Sequence, residues 1–348
     1  MGHLGLIFIV AALGILVVLS LAGALYQRAS RASDAGRFLP PGRLFDIGNA
    51  SLHVFTLGQG FPPVVFEAGI AATSLSWQLV QPEIAKFTQT ISYDRAGLGW
   101  SDASPDERII WDVAEELRTV LHRADIRQPC ILIAHSYGAL VTIAYALRHR
   151  SEIAGMVLVD PVATSEWSNP SESQSKTLRR GILLSRRGAS LARIGVVRVA
   201  LNLLAAGSHR LPKMIARASS GGGAAVTDQI VGQVRKLPRD LWPLIQSHWC
   251  DPKSFESMAR YLTALPQSAA AVAKELEAAD AFRDLPLTVL SAGNANPMQR
   301  AEHETMARRS SLGRIEIVPD SGHWIQVDRP DVVIQACLEM VKRLSRSL

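Results

Sequence analysis

Ser136 stands in Ala134-His135-Ser136-Tyr137-Gly138, between the apolar run Cys130-Ile131-Leu132-Ile133 and a helical pattern that continues to about Leu147. Small residues two before and two after a serine let the backbone take the strained turn that lifts a hydroxyl clear of a sheet. The helix N-terminus behind it supplies backbone N–H groups and a positive dipole end where negative charge would develop. The chemistry this arrangement suits is nucleophilic attack by a hydroxyl. The usual pattern has Gly at both ends; here the first is Ala134, one methyl larger. A serine also needs a base within hydrogen-bond reach and a carboxylate to orient that base. Reactive groups in open α/β sheets gather at the carboxyl ends of strands, and His323 has that place, following the expected strand Arg314–Val318 in Pro319-Asp320-Ser321-Gly322-His323-Trp324. His135 adjoins the serine but is expected to point elsewhere, His122 and His149 lie late on helices, and His303 lies on a helix face. The structural alternatives are a helix-capping serine and a loop histidine without a catalytic part.

Strands that could position these groups are expected at Arg43–Ile47 and Ser51–Leu57, split by the turn signal Gly48-Asn49, then at Val64–Glu67, Thr90–Tyr93, Cys130–Ala134, Met156–Asp160, Leu287–Ser291 and Arg314–Val318. Helical patterns alternate with them near Leu75–Phe87, Ile110–Arg123, Ser136–His149, Gln299–Arg309 and from Pro330 to about Leu344. Continuous apolar strands in alternation with helices imply an α/β protein with a mostly parallel sheet of about eight strands, covered on both faces. Between Pro161 and Pro286 that rhythm stops, and helical patterns broken by Gly and Pro, including Ser219-Ser220-Gly221-Gly222-Gly223, imply a helical insertion between two strands of one sheet. The three cysteines, Cys130, Cys250 and Cys337, show neither metal-ligand nor disulfide spacing. No cofactor and no metal are expected.

Five segments carry a resemblance: Val64-Val65-Phe66-Glu67-Ala68-Gly69-Ile70, Tyr93-Asp94-Arg95-Ala96-Gly97-Leu98-Gly99-Trp100-Ser101, the Ser136 turn, Val159-Asp160-Pro161 and Ser321-Gly322-His323. Together they resemble the α/β-hydrolase family over roughly residues 42–160 and 286–345. The resemblance implies Ser136 as nucleophile, His323 as general base, and oxyanion donors from the backbone N–H groups of Ile70 and Tyr137. It also implies that the insertion after the sixth strand is a lid that sets substrate choice. The acid departs from the common pattern: where many members carry an Asp after the seventh strand, Gly293-Asn294-Ala295-Asn296-Pro297 offers only amides, which cannot supply the charge that stabilises an imidazolium. Asp160 closes the preceding strand, some members place their acid there, and the order Ser136, Asp160, His323 keeps the family's sequence of roles. Asp160 is therefore the expected acid, against the alternatives that it caps the loop before Pro161 or that Asn296 is a degraded acid position. Asp320 is too near His323 in sequence to orient it easily, and Asp94 is expected to hold its loop with Arg95. Members that open epoxides or displace halide use a carboxylate nucleophile, so Ser136 favours carbonyl attack and an acyl intermediate, with carboxylic esters as substrates. A C–C bond hydrolase, a cofactor-free haloperoxidase and a non-catalytic binding protein on the same scaffold stay open.

Leu4 to Tyr26 is almost unbroken apolar sequence, long enough for a helix of roughly 30 Å that crosses a bilayer. Ala22-Gly23-Ala24 resembles a cleavage site, but no Lys or Arg precedes the apolar run, whereas Arg28, Arg31 and Arg37 follow it. That bias favours a retained anchor with the body on the cytoplasmic side, with export as the alternative. The expected organisation is an anchor at 1–27, a linker at 28–41, a core at 42–160 and 286–348, and a cap at 161–285. The formal net charge is +6, but residues 176–217 hold ten Lys and Arg and no acid, and residues 1–40 add a net +2, so the remainder is −6. Such local basicity is no general nucleic-acid surface. Arg179, Arg186 and Arg193 recur every seven residues, as do Arg180 and Arg187, so a helix would carry a basic stripe fit for anionic lipid or simply for solvent. Gly181, Gly188 and Gly195 share the spacing, which weakens the helix but would permit close packing.

Overall fold

The computed structural model describes residues 3–127, 129–206, 232–278 and 282–345. The strands are β1 (Arg43–Asp46), β2 (Ser51–Leu57), β3 (Val64–Glu67), β4 (Thr90–Tyr93), β5 (Cys130–His135), β6 (Ile153–Val159), β7 (Leu287–Ala292) and β8 (Gly313–Val318). They form one eight-stranded sheet in the order β1-β2-β4-β3-β5-β6-β7-β8. β2 pairs antiparallel with β1 and β4, and every later pairing is parallel. The central strands β3 and β5 are buried along their whole length, whereas the edge strand β8 is only partly covered. Their side chains alternate between two cores, as the pleat requires. Leu132 and Ala134 face Leu117, Val120, Leu140 and Val141, while Ile131 and Ile133 face Trp77, Val80, Val333 and Cys337. Each such aliphatic side chain contributes about 1.5–3 kcal/mol of burial.

The helices that carry these cores read directly from the sequence. In α3 (Ile110–Arg123), Ile110, Val113, Ala114, Leu117, Val120 and Leu121 form one buried stripe at the helical spacing. α4 (Tyr137–Arg148) is buried on all sides from Tyr137 to Ala146, because the cap covers the face that the sheet leaves open. β6 starts at Ile153, three residues before the expected strand, and continues through Gly155. A Cβ at Gly155 would lie 2.7 Å from Met340 Sδ, so this glycine lets the C-terminal helix Pro330–Ser345 approach the strand.

The insertion between β6 and β7 is helical, as expected, with α5 (Thr164–Ser168), α6 (Glu172–Arg193), α7 (Val196–Ala205) and the helices Trp242–Trp249 and Pro252–Ala278. His209, Arg210, Lys213, Arg217 and the Ser219–Gly223 break lie outside the described residues. α6 carries Gly181 and Gly188 in its interior, where each costs about 1 kcal/mol relative to Ala. Both face Pro252–Ala278: an added Cβ would stand 3.3 Å from Leu262 Cδ1 at position 181 and 2.5 Å from the Phe255 ring at position 188. The heptad of glycines is thus a packing seam, and Arg179, Arg180, Arg186, Arg187 and Arg193 lie on the exposed side of the helix.

The N-terminal segment differs from expectation. α1 is one helix from His3 to Arg37, so residues 28–37 are helical and not a linker. Gln27-Arg28-Ala29-Ser30-Arg31-Ala32-Ser33 contains no Gly or Pro, and the helix ends only around Gly36 and Pro40. The polarity of this stretch serves the cap. Gln27 Nε2 donates to the Cys250 carbonyl at 2.7 Å, and Arg198 Nε donates to Gln27 Oε1 at 2.8 Å. Arg198 also pairs with Asp34 at 2.7 Å, and Arg31 with Asp251 at 3.0 Å. Gly23 and Gly195 let α1 touch the corner between α6 and α7. The apolar part of α1 stays exposed and is long and apolar enough to cross a membrane.

Gly188→Leu would drive a side chain into the Phe255 ring, so the expected outcome is a loss of about 1–3 kcal/mol in unfolding stability. A lower Tm would register it, and an unchanged Tm would contradict the α6 seam.

Candidate active site

The turn from β5 into α4 holds Ser136 at φ 54° and ψ −118°, a strained backbone for a residue with a side chain. Gly138 permits it, since a Cβ there would lie 2.6 Å from the Ala68 carbonyl and 2.7 Å from that of Glu67. Among the described residues only three others than glycine have positive φ, and two of them are Ser136 and Asp160. Asp160 also leaves its strand with a positive φ, 43°. Strain of about 1–3 kcal/mol per residue persists only where the surroundings over-determine it, and functional sites are where it collects.

His323, on the loop after β8, joins the two. Its Nε2 lies 2.9 Å from Ser136 Oγ and its Nδ1 lies 2.6 Å from Asp160 Oδ2. With Nδ1–H donated to the carboxylate, Nε2 carries the lone pair that accepts the serine O–H. Asp160 Oδ1 accepts the Ala292 N–H at 2.9 Å, so both carboxylate oxygens are fixed. Burial pushes the Asp160 carboxyl up, but the His323 hydrogen bond and charge, with the Ala292 N–H, outweigh it and hold the group below its usual range. Asp160 is thus ionised at neutral pH. The competing acids have other partners. Asn296 Oδ1 caps the helix Pro297–Arg308 by accepting the Gln299 N–H at 2.9 Å, and the Asp320 side chain is 86% exposed. Asp94 accepts the Ser74 N–H at 2.7 Å and the Trp100 N–H at 3.1 Å, and lies 3.0 Å from His53 Nδ1.

The backbone N–H of Tyr137 opens α4, and that of Ile70 lies in the segment after β3; among the described residues neither has a hydrogen-bond acceptor. They are free to meet a ligand oxygen. Two histidines left aside at the level of sequence lie beneath these groups. His135 Nε2 donates to the His323 carbonyl at 2.9 Å, and the two rings are 4.7 Å apart. Burial, then the nearby His323, push His135 down to about 3, so it is neutral and acts as a fixed donor under the His323 loop. His303 bridges Ser291 Oγ and the Pro161 carbonyl, each at 2.9 Å, and so ties the end of β7 to the turn after Asp160. A histidine at a fully buried strand end and one facing into an α/β helix–strand seam are the signals that mark them.

An opening of about 420 Å³ leads to His323 between Gln233, Lys236, Asn294, Trp324 and Asp328. Lys236 pairs with Asp328, whose second oxygen accepts the Gly322 N–H at 2.8 Å and so steadies the histidine loop. The walls mix chemistry. Leu75, Leu79 and Trp324 of the core pack with Leu237, Leu241 and Ile245 of the cap beside the same loop. Among the described residues there is no group of three or more His, Cys, Asp or Glu that could hold a metal ion.

The model of the alpha/beta hydrolase family matches residues 64–336. The uncharacterized protein YqjL of Bacillus subtilis (strain 168) is 38% identical over 104 residues, which are 30% of this chain and 41% of that protein. A haloalkane dehalogenase of Sphingobium indicum is 24% identical over 295 residues, 81% of this chain and 89% of that one. The first curated relatives are spanned for less than half of their own length. Among solved structures, a thermophilic esterase from Thermogutta terrifontis shares the fold, with a TM-score of 0.59 at 21% identity, over 86% of this chain and 96% of that one. With the family model spanning most of the sequence, the chain belongs to the alpha/beta hydrolase family.

Proposed function

We propose that this protein is a membrane-tethered serine hydrolase that cleaves carboxylic esters with apolar acyl groups. The observation that carries the reading is the hydrogen-bonded chain from Ser136 Oγ through His323 to Asp160, at 2.9 and 2.6 Å, on two strained strand ends. His323 Nε2 takes the proton as Ser136 Oγ attacks the ester carbonyl, and Asp160 stabilises the imidazolium. The N–H groups of Ile70 and Tyr137 hold the oxyanion. Collapse expels the alcohol, which takes the proton from His323, and leaves an acyl group on Ser136. Water, deprotonated by His323, then attacks the acyl-enzyme and releases the acid and the free serine. A serine at this position favours esters over the carbon–halogen bonds in the haloalkane dehalogenase's name, since displacing halide calls for a carboxylate nucleophile. The apolar preference is supported by the cap and core side chains that meet beside Trp324.

Tethering rests on the exposed apolar surface of α1 and on the continuation of that helix into the cap. Because Gly23, near the end of the apolar run, touches Ile194 and Gly195, a spanning α1 brings the α6–α7 corner against the bilayer face. Arg179, Arg180 and Arg186 lie on the exposed side of the same α6 and add positive charge that favours an anionic surface. The Arg residues after the span favour a cytoplasmic body.

The wild type should be labelled by a serine-directed fluorophosphonate and Ser136→Ala should not, while Asp160→Asn should lower kcat on a p-nitrophenyl ester by about 10⁴-fold. An unlabelled wild type contradicts the serine mechanism, and near-normal turnover of Asp160→Asn removes the acid. For the anchor, alkaline carbonate should leave the full chain in the membrane pellet with residues before Leu25 intact by mass. A soluble chain that starts after Ala24 would contradict retention.

A further inference from the structure

We propose that Arg95 is the positioning residue of the oxyanion hole and aims the Ile70 N–H; the inference rests on the acyl-transfer reading of the site. Arg95 follows β4 and is 2% exposed, with its guanidinium under the segment that leaves β3. Nη1 donates to Glu67 Oε1 and, at 2.6 Å, to the Ala68 carbonyl; Nη2 donates to the Gly69 carbonyl. That last contact decides the geometry of the next residue. A trans peptide is planar, so the Gly69 C=O and the Ile70 N–H point in opposite directions. Holding the carbonyl toward Arg95 therefore turns the N–H away from it, and among the described residues nothing else accepts it.

Three further contacts restrain the same segment. The Gly69 carbonyl also accepts the Ala72 N–H at 3.1 Å, and Asp94, the neighbour of Arg95, accepts the Ser74 N–H at 2.7 Å. A Cβ at Gly69 would lie 2.9 Å from His135 Nδ1, so the segment is packed directly on the histidine beneath the His323 loop. The guanidinium carbon lies 5.3 Å from the centre of the Tyr137 ring, whose residue supplies the second N–H. One cation thus touches the peptide group that carries the first N–H and the ring of the residue that carries the second. Its charge is not what acts on substrate, because Glu67 neutralises it and Tyr93 O–H bonds the other oxygen of that carboxylate. The planar fork is what matters: two carbonyls and a carboxylate are held at once, which a lysine ammonium cannot reproduce.

The test compares wild type, Arg95→Lys and Arg95→Gln on p-nitrophenyl butyrate, with a butyl trifluoromethyl ketone as a probe that forms an oxyanion adduct on serine. Losing one oxyanion donor outright costs about 10²- to 10³-fold in kcat. The expected result for the folded Arg95→Lys protein is a smaller fall, about 10- to 100-fold in kcat, with KM within about threefold and ketone affinity reduced in step. Fluorophosphonate labelling of Ser136 should persist. Unchanged kcat, or a lower kcat with unchanged ketone affinity, overturns the inference. Should Arg95→Lys fail to fold, Arg95→Gln decides: its shorter amide cannot hold the Ala68 and Gly69 carbonyls as the guanidinium fork does, so a parallel loss of kcat and ketone affinity supports the role while unchanged values overturn it. A wild type that neither hydrolyses the ester nor binds the ketone fails at the acyl-transfer reading, which removes this inference with it.

Discussion

The last rungs of the parallel ladder hold the site together. The Ser136 N–H donates to the Val159 carbonyl at 3.1 Å, and the Asp160 N–H donates to the Leu290 carbonyl at 2.8 Å. These bonds fix two residues just past the ends of adjacent strands, where the chain must turn sharply and where both take positive φ. Register therefore sets the separation of hydroxyl and carboxylate before any side-chain contact forms. His323 arrives on the β8 loop and needs only to fill the gap between them. Its loop is in turn held from below by His135 and from the side by Asp328. Burial of the central strands stabilises this ladder, so the core and the proposed chemistry depend on the same hydrogen bonds.

Much of this was legible in the residues. Alternating apolar strands and helices gave the sheet, and the small-residue turn at Ser136 with His323 and Asp160 at strand ends gave the three side chains that the structure brings within hydrogen-bond distance. What escaped were features set by tertiary contact. The expected strand begins only at Met156, yet β6 runs through Gly155, which marks the approach of Met340 to it. The polar residues after Tyr26 read as a linker, yet polarity there reflects pairing with Arg198, Cys250 and Asp251. His135 and His303 carried no spacing signal, because their partners are carbonyls and a hydroxyl from distant loops.

The extension of α1 changes the relation between the N-terminus and the cap. A flexible linker would let the body tumble beneath an anchor. A continuous helix whose last turns pair Asp34 with the largely buried Arg198 makes α1 part of the cap. Phe38, just past the helix, continues the contact into the core by accepting the Trp100 indole N–H at 2.9 Å. Cap, α1 and the loop of Asp94 and Arg95 are thereby one packed unit, with the opening to His323 at its side.

The central claim is that Ser136 carries the acyl group during turnover. It is tested most directly by quenching the full-length protein in acid during hydrolysis of p-nitrophenyl butyrate and weighing its proteolytic peptides. The account predicts that the peptide containing Ser136 is heavier by one butyryl group and that the adduct disappears once substrate is exhausted. Ester hydrolysis with that peptide unmodified, or with the butyryl group on another residue, would contradict it.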